Sequence, residues 1–395
     1  MIAVEDARRI VLEHCQVLPA RTTTVDWDVL GCVLAEDVAS DLDMPPFDKA
    51  LMDGYAVRVA DVTSGTDLPV VGTVMAGQIP LPLPPGSAIG IMTGAPIPAG
   101  ADAVIRLEDA TLLNDSRVCF ARANPMPGQN ILRQGAEMRC GEVVLRQGTR
   151  ITPQVAGLLA AVGRSHVRII PRPEVAILST GDELVPPDEV PGPGQLRNSN
   201  GVMLACQARR AGAIPRLLGI AHDRRDELQR RIEDALRSDI VVLSGGVSMG
   251  KLDLVPDVLC NLGVVAHIHQ VAMKPGKPFL FGTFERRLIF GLPGNPVSSY
   301  CCFELFVRPA IRSLSGHPIG GPTWDEAELA EDFQHRSDRP TFHPAVRTGA
   351  TVRPVAWLGS PDLRALAGSN ALIQLPPGSH IFPAGSRLPV LDIGE

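Results

Sequence analysis

The stretch Asp239–Asp253, DIVVLSGGVSMGKLD, constrains the fold of this chain more than any other. A run of branched apolar residues, Ile240–Leu243, leads into Ser244-Gly245-Gly246, and the carboxylate of Asp253 stands at the foot of the next helical segment. A run of this kind reads as a buried strand. The glycines that end it mark the place where α/β proteins bring ligands, because backbone N–H groups and a helix N-terminus converge there.

The surrounding sequence keeps the same alternation. After Pro171 it reads as a strand at EVAILS (174–179), a helix near 200–211 ending at Gly212, and a helix near 225–237. DIVVLS follows, then a helix near 254–262, strands near 264–270 and 288–291, and a helix from about Val297 to Leu314. Strands alternating with helices imply an α/β layer with a largely parallel sheet. The N-terminal MIAVEDARRIVLEH reads as an amphipathic helix. Thr152 as a cap, Pro153 at the first helical position and Gly163 as a stop frame another, with Val155, Leu158, Leu159 and Val162 on one face.

Residues 41–140 differ: short runs such as VRVADV, VVGTVMAG and AVIRLED are separated by Pro and Gly, the pattern of a β-rich module. Pro45-Pro46-Phe47-Asp48 reads as a linker or hinge ahead of it. After about Gly320 short strands and turns return, which suggests a small terminal β domain. The fold class is therefore α/β with additional β-rich domains, with breaks near 40, 140, 171 and 320.

Bulk properties narrow the function. A formal charge of −6 argues against nucleic acid as the main partner, since phosphate backbones require a basic surface. No apolar stretch approaches the ~20 residues of a membrane span, and the N-terminus has no secretory apolar core. The 8 cysteines show no CxxC spacing, which disfavours zinc sites and disulfide frameworks and points to reduced thiols in the cytoplasm.

Four strand ends carry polar chemistry. Ser179-Thr180-Gly181-Asp182-Glu183 puts acids after a glycine turn, which suits Mg²⁺ bridging to phosphate or, equally, a turn with a helix cap. Gly245, Gly246, Ser248 and Gly250 form a glycine loop without the lysine ending of a P-loop. In Met273-Lys274-Pro275-Gly276-Lys277-Pro278 two lysines flank a Pro-Gly turn, placed for an anion or as surface charge. Gly291-Leu292-Pro293-Gly294-Asn295-Pro296 is a rigid turn feeding a helix, able to hold an anion or simply to reverse the chain. Acids, lysines and glycine turns at neighbouring strand ends suit a metal plus a phosphorylated small molecule.

PPFDKALMDGYAV (45–57), IMTGAPIPAGADAVI (91–105), VAILSTGDELV (175–185), VVLSGGVSMG (241–250), MKPGKPF (273–279) and GLPGNPVS (291–298) together resemble the MoeA family of molybdopterin molybdenumtransferases, which includes the gephyrin E-domain. The resemblance runs nearly end to end. It implies an elongated homodimer of four-domain subunits: a MogA-like three-layer α/β domain from 1–19 and 172–317, a linking domain from 20–40 and 142–171, an inserted β-rich domain at 41–141, and a β-barrel at 318–395. The implied activity is Mg²⁺-dependent insertion of molybdate into adenylylated molybdopterin with release of AMP. A non-catalytic pterin carrier or scaffold of the same fold is the alternative. A MogA-like adenylyltransferase and recipient molybdoenzymes are the implied protein partners.

By that resemblance Glu183, Asp223 and Asp253 hold the metal. Gly181, Asp223, Ser244, Gly245, Gly246, Ser248, Lys274, Lys277, Pro293, Pro296, Arg339 and Ser360 contact substrate. Asp53, Thr93, Glu183 and Asp253 are the catalytic set, with Asp53 and Thr93 supplied by the partner subunit of a shared site. A plainer reading accompanies several: Asp53 as a turn former, Thr93 as a loop hydroxyl, Asp223 and Asp253 as helix caps. The chain departs from the family pattern at Lys49-Ala50, at Leu132–Glu137, where an arginine-rich run is usual, and at Lys251 and Leu254.

Overall fold

The computed structural model describes residues 1–114, 116–120, 124–246, 254–317 and 322–394, in two compact units. The first comprises Met1–Thr22, Gly31–Ala35 and Arg168–Glu395; the second comprises Thr23–Leu30 and Glu36–Val167.

The first unit is built on a six-stranded sheet of β1 (Glu174–Thr180), β2 (Ile214–Ala221), β3 (Ile240–Ser244), β4 (Val265–Gln270), β5 (Pro278–Phe284) and β6 (Arg287–Leu292). The strand order is β2-β1-β3-β6-β5-β4. β2, β1, β3 and β6 run parallel, while β5 and β4 are antiparallel to their neighbours. The period-two geometry of a strand explains the apolar runs directly. Val175, Ile177, Ile240, Val242, Leu288 and Phe290 enter one core cluster, and the intervening Ala176, Leu178, Val241, Leu243 and Ile289 enter the other. Helices α1 (Val4–Glu13) and α2 (Ser199–Arg210) pack on the first face. Helices α3 (Arg225–Ala235) and α4 (Val255–Asn261) cover the second. Fully burying a Val or Ile contributes about 1.5–3 kcal/mol, so a charge at Val242 would break this layer.

Two strands escaped the sequence reading. β2 is an edge strand that carries Pro215 and Gly219, residues a central strand would not tolerate. β5, whose Gly282 interrupts the apolar run, pairs antiparallel between β4 and β6. Its direction matters, because it returns the β4–β5 loop to the edge where β1, β3 and β6 end.

The helix expected over 297–314 is three consecutive segments: α5 (Pro296–Cys302), a π turn (Phe303–Val307) and α6 (Arg308–Leu314). Pro309 lacks an N–H, and its ring would press on the Leu305 carbonyl in a regular α-helix; the wider turn relieves that clash.

The terminal β domain contains β7 (Trp324–Leu329), β8 (Phe333–Ser337), β9 (Thr341–Thr348), β10 (Thr351–Pro354), β11 (Ala371–Leu375), β12 (Gly378–Phe382) and β13 (Arg387–Asp392); β8 and β12 pair as a separate two-stranded sheet, and the other five close into a barrel. The closed order is β7-β10-β9-β11-β13. Ala327, Leu329, Val352, Ile373 and Val390 fill its interior. Phe342, Leu372 and Leu391 join the same core cluster as Phe303 and Phe306, so barrel and α/β layer share buried apolar surface.

The second unit contains a six-stranded sheet in the order Ala103–Arg106, Gly54–Val57, Ala88–Ile91, Asp67–Val74, Arg117–Cys119, Thr111–Asn114. The run VRVADV is not one strand: extended pairing stops at Val57 and a 3-10 turn takes Val59–Asp61, where the Asp102 carboxylate accepts from the Val59 N–H at 2.7 Å. Pro45–Asp48, read as a linker or hinge, is tied to its neighbours by hydrogen bonds. Met44 pairs with Met138, and Asp48 accepts from the Gln134 N–H at 2.8 Å and from Arg133. The helix at Pro153–Ala161 forms as expected, with Thr152 Oγ1 accepting from the Val155 N–H at 3.3 Å. Leu159 and Val162 are buried, whereas Val155 and Leu158 are only half-buried.

Candidate functional site

A cavity of about 1000 Å³ opens at the edge of the sheet where β1, β3 and β6 end. Each wall traces to a strand end. After β1 the chain turns at Gly181, whose φ of +146° suits glycine. A Cβ there would lie 2.3 Å from Glu183 Oε2, so the carboxylate folds back over the turn. After β3, Gly245 has φ +93°, and a Cβ would meet the Thr180 backbone oxygen at 2.4 Å. The β6 end supplies Pro293–Pro296, and the β4–β5 loop supplies Lys274–Pro278. Arg339 and Ser360 reach the cavity from the terminal domain.

The barrel is stitched to this loop by backbone. The Lys274 N–H donates to the Pro340 carbonyl at 2.9 Å, and the Phe342 N–H donates to the Lys274 carbonyl at 2.8 Å. Asn295 Nδ2 donates to Ser360 Oγ at 3.0 Å, and the Val297 N–H donates to the Ser360 carbonyl at 3.1 Å. Arg339 donates to Asp338 at 3.1 Å, and that hydrogen bond holds Asp338 below the ordinary carboxylate range, with Lys274 adding to the effect.

Of the residues named from sequence, Gly181, Glu183, Asp223, Ser244, Gly245, Gly246, Lys274, Lys277, Pro293, Pro296, Arg339 and Ser360 all line this one cavity. Ser248 and Asp253, together with Gly250 and Lys251, lie outside the described residues. Asp53 and Thr93 belong to the second unit and bond to each other, with Asp53 Oδ1 accepting from the Thr93 N–H at 2.6 Å and from its hydroxyl at 2.7 Å. Of the alternative capping roles, two are not met: no helix follows Glu183 directly, and Arg224, not Asp223, holds the cap position of α3; that of Asp253 lies outside the described residues. The Asp223 N–H instead donates to Asp182 Oδ1 at 3.1 Å.

Sequence reading missed Arg197, Asn198, Asn200 and Trp357, which also line the cavity. Asn198 could have been found as the cap of α2, since its Oδ1 accepts from the Gly201 N–H at 3.0 Å. Among the described lining residues the cations Arg197, Lys274, Lys277 and Arg339 face the acids Glu183 and Asp223. That balance suits a polyanionic guest. Among the described residues no three His, Cys, Asp or Glu side chains gather as a ready metal cage. Glu183 and Asp223 nonetheless fit Mg²⁺, which takes one or two carboxylates and completes its shell with water and phosphate oxygens.

This α/β layer falls in a recognisable class: residues 176–313 match the family model described as a probable molybdopterin binding domain. Residues 2–163 match the MoeA N-terminal region (domain I and II), and residues 326–393 match the MoeA C-terminal region (domain IV). The chain belongs to the MoeA family of molybdenum-cofactor biosynthesis. It is 33% identical, over 99% of its length and 95% of the relative's, to a molybdopterin molybdenumtransferase from Staphylococcus epidermidis. It is 34% identical over the same shares to one from Staphylococcus aureus strain COL. A crystal structure of the molybdopterin biosynthesis MoeA protein from Pyrococcus horikoshii superposes with a TM-score of 0.82 at 31% identity, covering 100% of both chains. A molybdenum cofactor biosynthesis protein from Pyrococcus furiosus shares the fold at a TM-score of 0.60 and 19% identity.

Proposed function

We propose that this protein is a molybdopterin molybdenumtransferase that inserts molybdate into adenylylated molybdopterin and releases AMP. The observation that carries the reading is the joint placement of Glu183, Asp223, Lys274, Lys277 and Arg339 around one cavity large enough for a dinucleotide-sized guest. Lys274, Lys277 and Arg339 neutralise phosphate and molybdate oxygens, the kind of fixed charge that lowers barriers in phosphoryl chemistry. The glycine turns at Gly181, Gly245 and Gly246 let the backbone approach the ligand closely. Glu183 and Asp223, with Asp253, would hold Mg²⁺, which when bound would supply charge neutralisation at the phosphoanhydride and polarise an oxygen nucleophile.

The site is completed in a homodimer, with Asp53 and Thr93 brought from the partner subunit. The four-domain partition read from sequence accompanies this reading, with the α/β domain as the pterin-binding part. No described helix is long and apolar enough to cross a membrane, and we place the protein in the cytoplasm, where a MogA-like adenylyltransferase would supply its substrate and molybdoenzymes would receive its product.

The test is direct. Purified protein given adenylylated molybdopterin, molybdate and Mg²⁺ releases AMP and yields a cofactor that activates a molybdoenzyme. Glu183→Ala lowers turnover by roughly 100-fold, the scale of losing a group that positions reacting charge. Stoichiometric pterin retention with no AMP release would leave a carrier instead, and absence of binding would remove both readings.

A further inference from the structure

Asn200 stands in the first turn of α2 with 9% of its surface exposed. Its side-chain nitrogen donates to Ser244 Oγ at 2.9 Å and to the Gly294 carbonyl at 2.7 Å. The amide orientation is forced, because a carbonyl can only accept and the nitrogen must face it. Both hydrogens of one NH₂ are thus spent on two different ligand loops, the β3 end and the β6 end. Those loops touch: a Cβ on Gly294 would lie 3.9 Å from the Gly245 Cα.

The network continues in one direction. Ser299 Oγ donates to the Pro293 carbonyl at 2.8 Å, which uses its only hydrogen. Ser244 Oγ, which accepts from Asn200, lies 3.5 Å from Ser299 Oγ, so the two serines extend the same buried polar cluster.

Resting on the molybdopterin-binding reading above, we infer that Asn200 is a positioning residue: it sets the separation of the Gly245 and Gly294 turns that receive the phosphorylated pterin, and it does so through two donors that no carboxylate can replace. Asn200 touches neither phosphate nor metal in this role.

The test uses full-length protein and adenylylated molybdopterin, with affinity, KM and kcat measured beside thermal unfolding. Asn200→Asp keeps the shape and removes both donors. At neutral pH its affinity falls about tenfold or more relative to wild type, the scale of hydrogen bonds lost from a buried network. As pH is lowered its carboxyl takes a proton, regains one donor and recovers several-fold of that loss, whereas Asn200→Ala shows no such recovery. The deficit lies in KM, with kcat changed less. Wild-type affinity in Asn200→Asp, or identical pH profiles for Asp and Ala, overturns the proposal. If Asn200→Asp does not fold, Asn200→Ala carries the test alone: a several-fold loss of affinity supports the inference and unaltered affinity overturns it. Failure of the wild-type protein to bind the nucleotide-pterin defeats the functional reading and is distinguishable from all of these.

Discussion

Thr93 donates both its backbone N–H and its hydroxyl to a single oxygen of Asp53, at 2.6 and 2.7 Å. These residues lie 40 positions apart and were singled out separately in the sequence, yet they form one element of the second unit. The link follows from strand pairing: Gly54, which begins the strand after Asp53, sits opposite Ile91, two residues before Thr93. The Thr93 hydroxyl, followed by its backbone N–H, holds the Asp53 carboxyl below the ordinary carboxylate range. Such a group stays ionised to lower pH than a free aspartate. Replacing Thr93 with Val removes the hydroxyl donor and keeps the N–H, so the Asp53 titration midpoint rises toward 3.8. Carboxyl chemical shifts followed through an acid titration check this; an unmoved midpoint would show that the backbone N–H alone sets the value.

Two of the departures from the family pattern answer each other. Lys49 Nζ lies 3.3 Å from Glu137 Oε1, so the lysine in the MDGYA-containing segment pairs with the acid in the altered 132–137 segment. Both side chains keep solvent contact, 30% and 44% exposed, and the pair contributes roughly 0–1 kcal/mol. Lys49→Ala is therefore expected to lower stability by less than about 1 kcal/mol, with the difference shrinking in high salt. Denaturant melts at two ionic strengths check it. A larger, salt-independent loss would mean that Lys49 is held by more than Glu137.

Gly245→Ala is expected to be costly for two separable reasons. The backbone at φ +93° is unfavourable for any residue with a Cβ, and that Cβ would stand 2.4 Å from the Thr180 carbonyl oxygen, a backbone atom that cannot swing aside. The expected loss is on the order of 2–3 kcal/mol, accompanied by weaker ligand binding as the β3 turn moves. Gly294→Ala is the control, since its nearest neighbour to a new Cβ is an ordinary contact at 3.9 Å. Equal unfolding midpoints for the two variants would contradict the steric account.

The legible parts of this molecule are those where local pattern and global fold agree. Ile240–Leu243 announced a buried strand, and its side chains are buried, split between two cores. Thr152 and Pro153 announced a helix start that the structure keeps. β2 was hidden because edge position licenses Pro215, which removed its strand signature. β5 was hidden because Gly282 broke its apolar run, and with it the reason the lysine loop faces the same edge as β1 and β3. Asn200 was illegible for a different reason: its partner Gly294 is 94 residues away, and no local pattern reports a contact at that separation.

His343 gives the barrel an acid sensitivity that can be signed in advance. Its ring lies among Phe333 and Trp357 with centroids 5.1 and 5.3 Å away, and 6% of the residue is exposed. Nε2 lies 3.0 Å from the Val355 carbonyl, which fixes the neutral tautomer as the one carrying hydrogen there. Burial pushes the imidazole down from 6.5 to about 4, with His335 acting in the same direction and the Val355 hydrogen bond opposing it. Folding therefore prefers the uncharged ring, whereas the unfolded chain takes up a proton near 6.5. The stabilisation is fully present above that pH, declines as pH falls toward about 4, and stays lost below it. A shift of this size corresponds to about 3 kcal/mol across the window. Replacing His343 with Gln keeps a donor for the Val355 carbonyl but removes the titrating ring, so the variant should lose less stability than wild type between neutral and acid pH. Denaturant unfolding of both proteins through that range decides it: parallel pH profiles would assign the acid sensitivity to other groups.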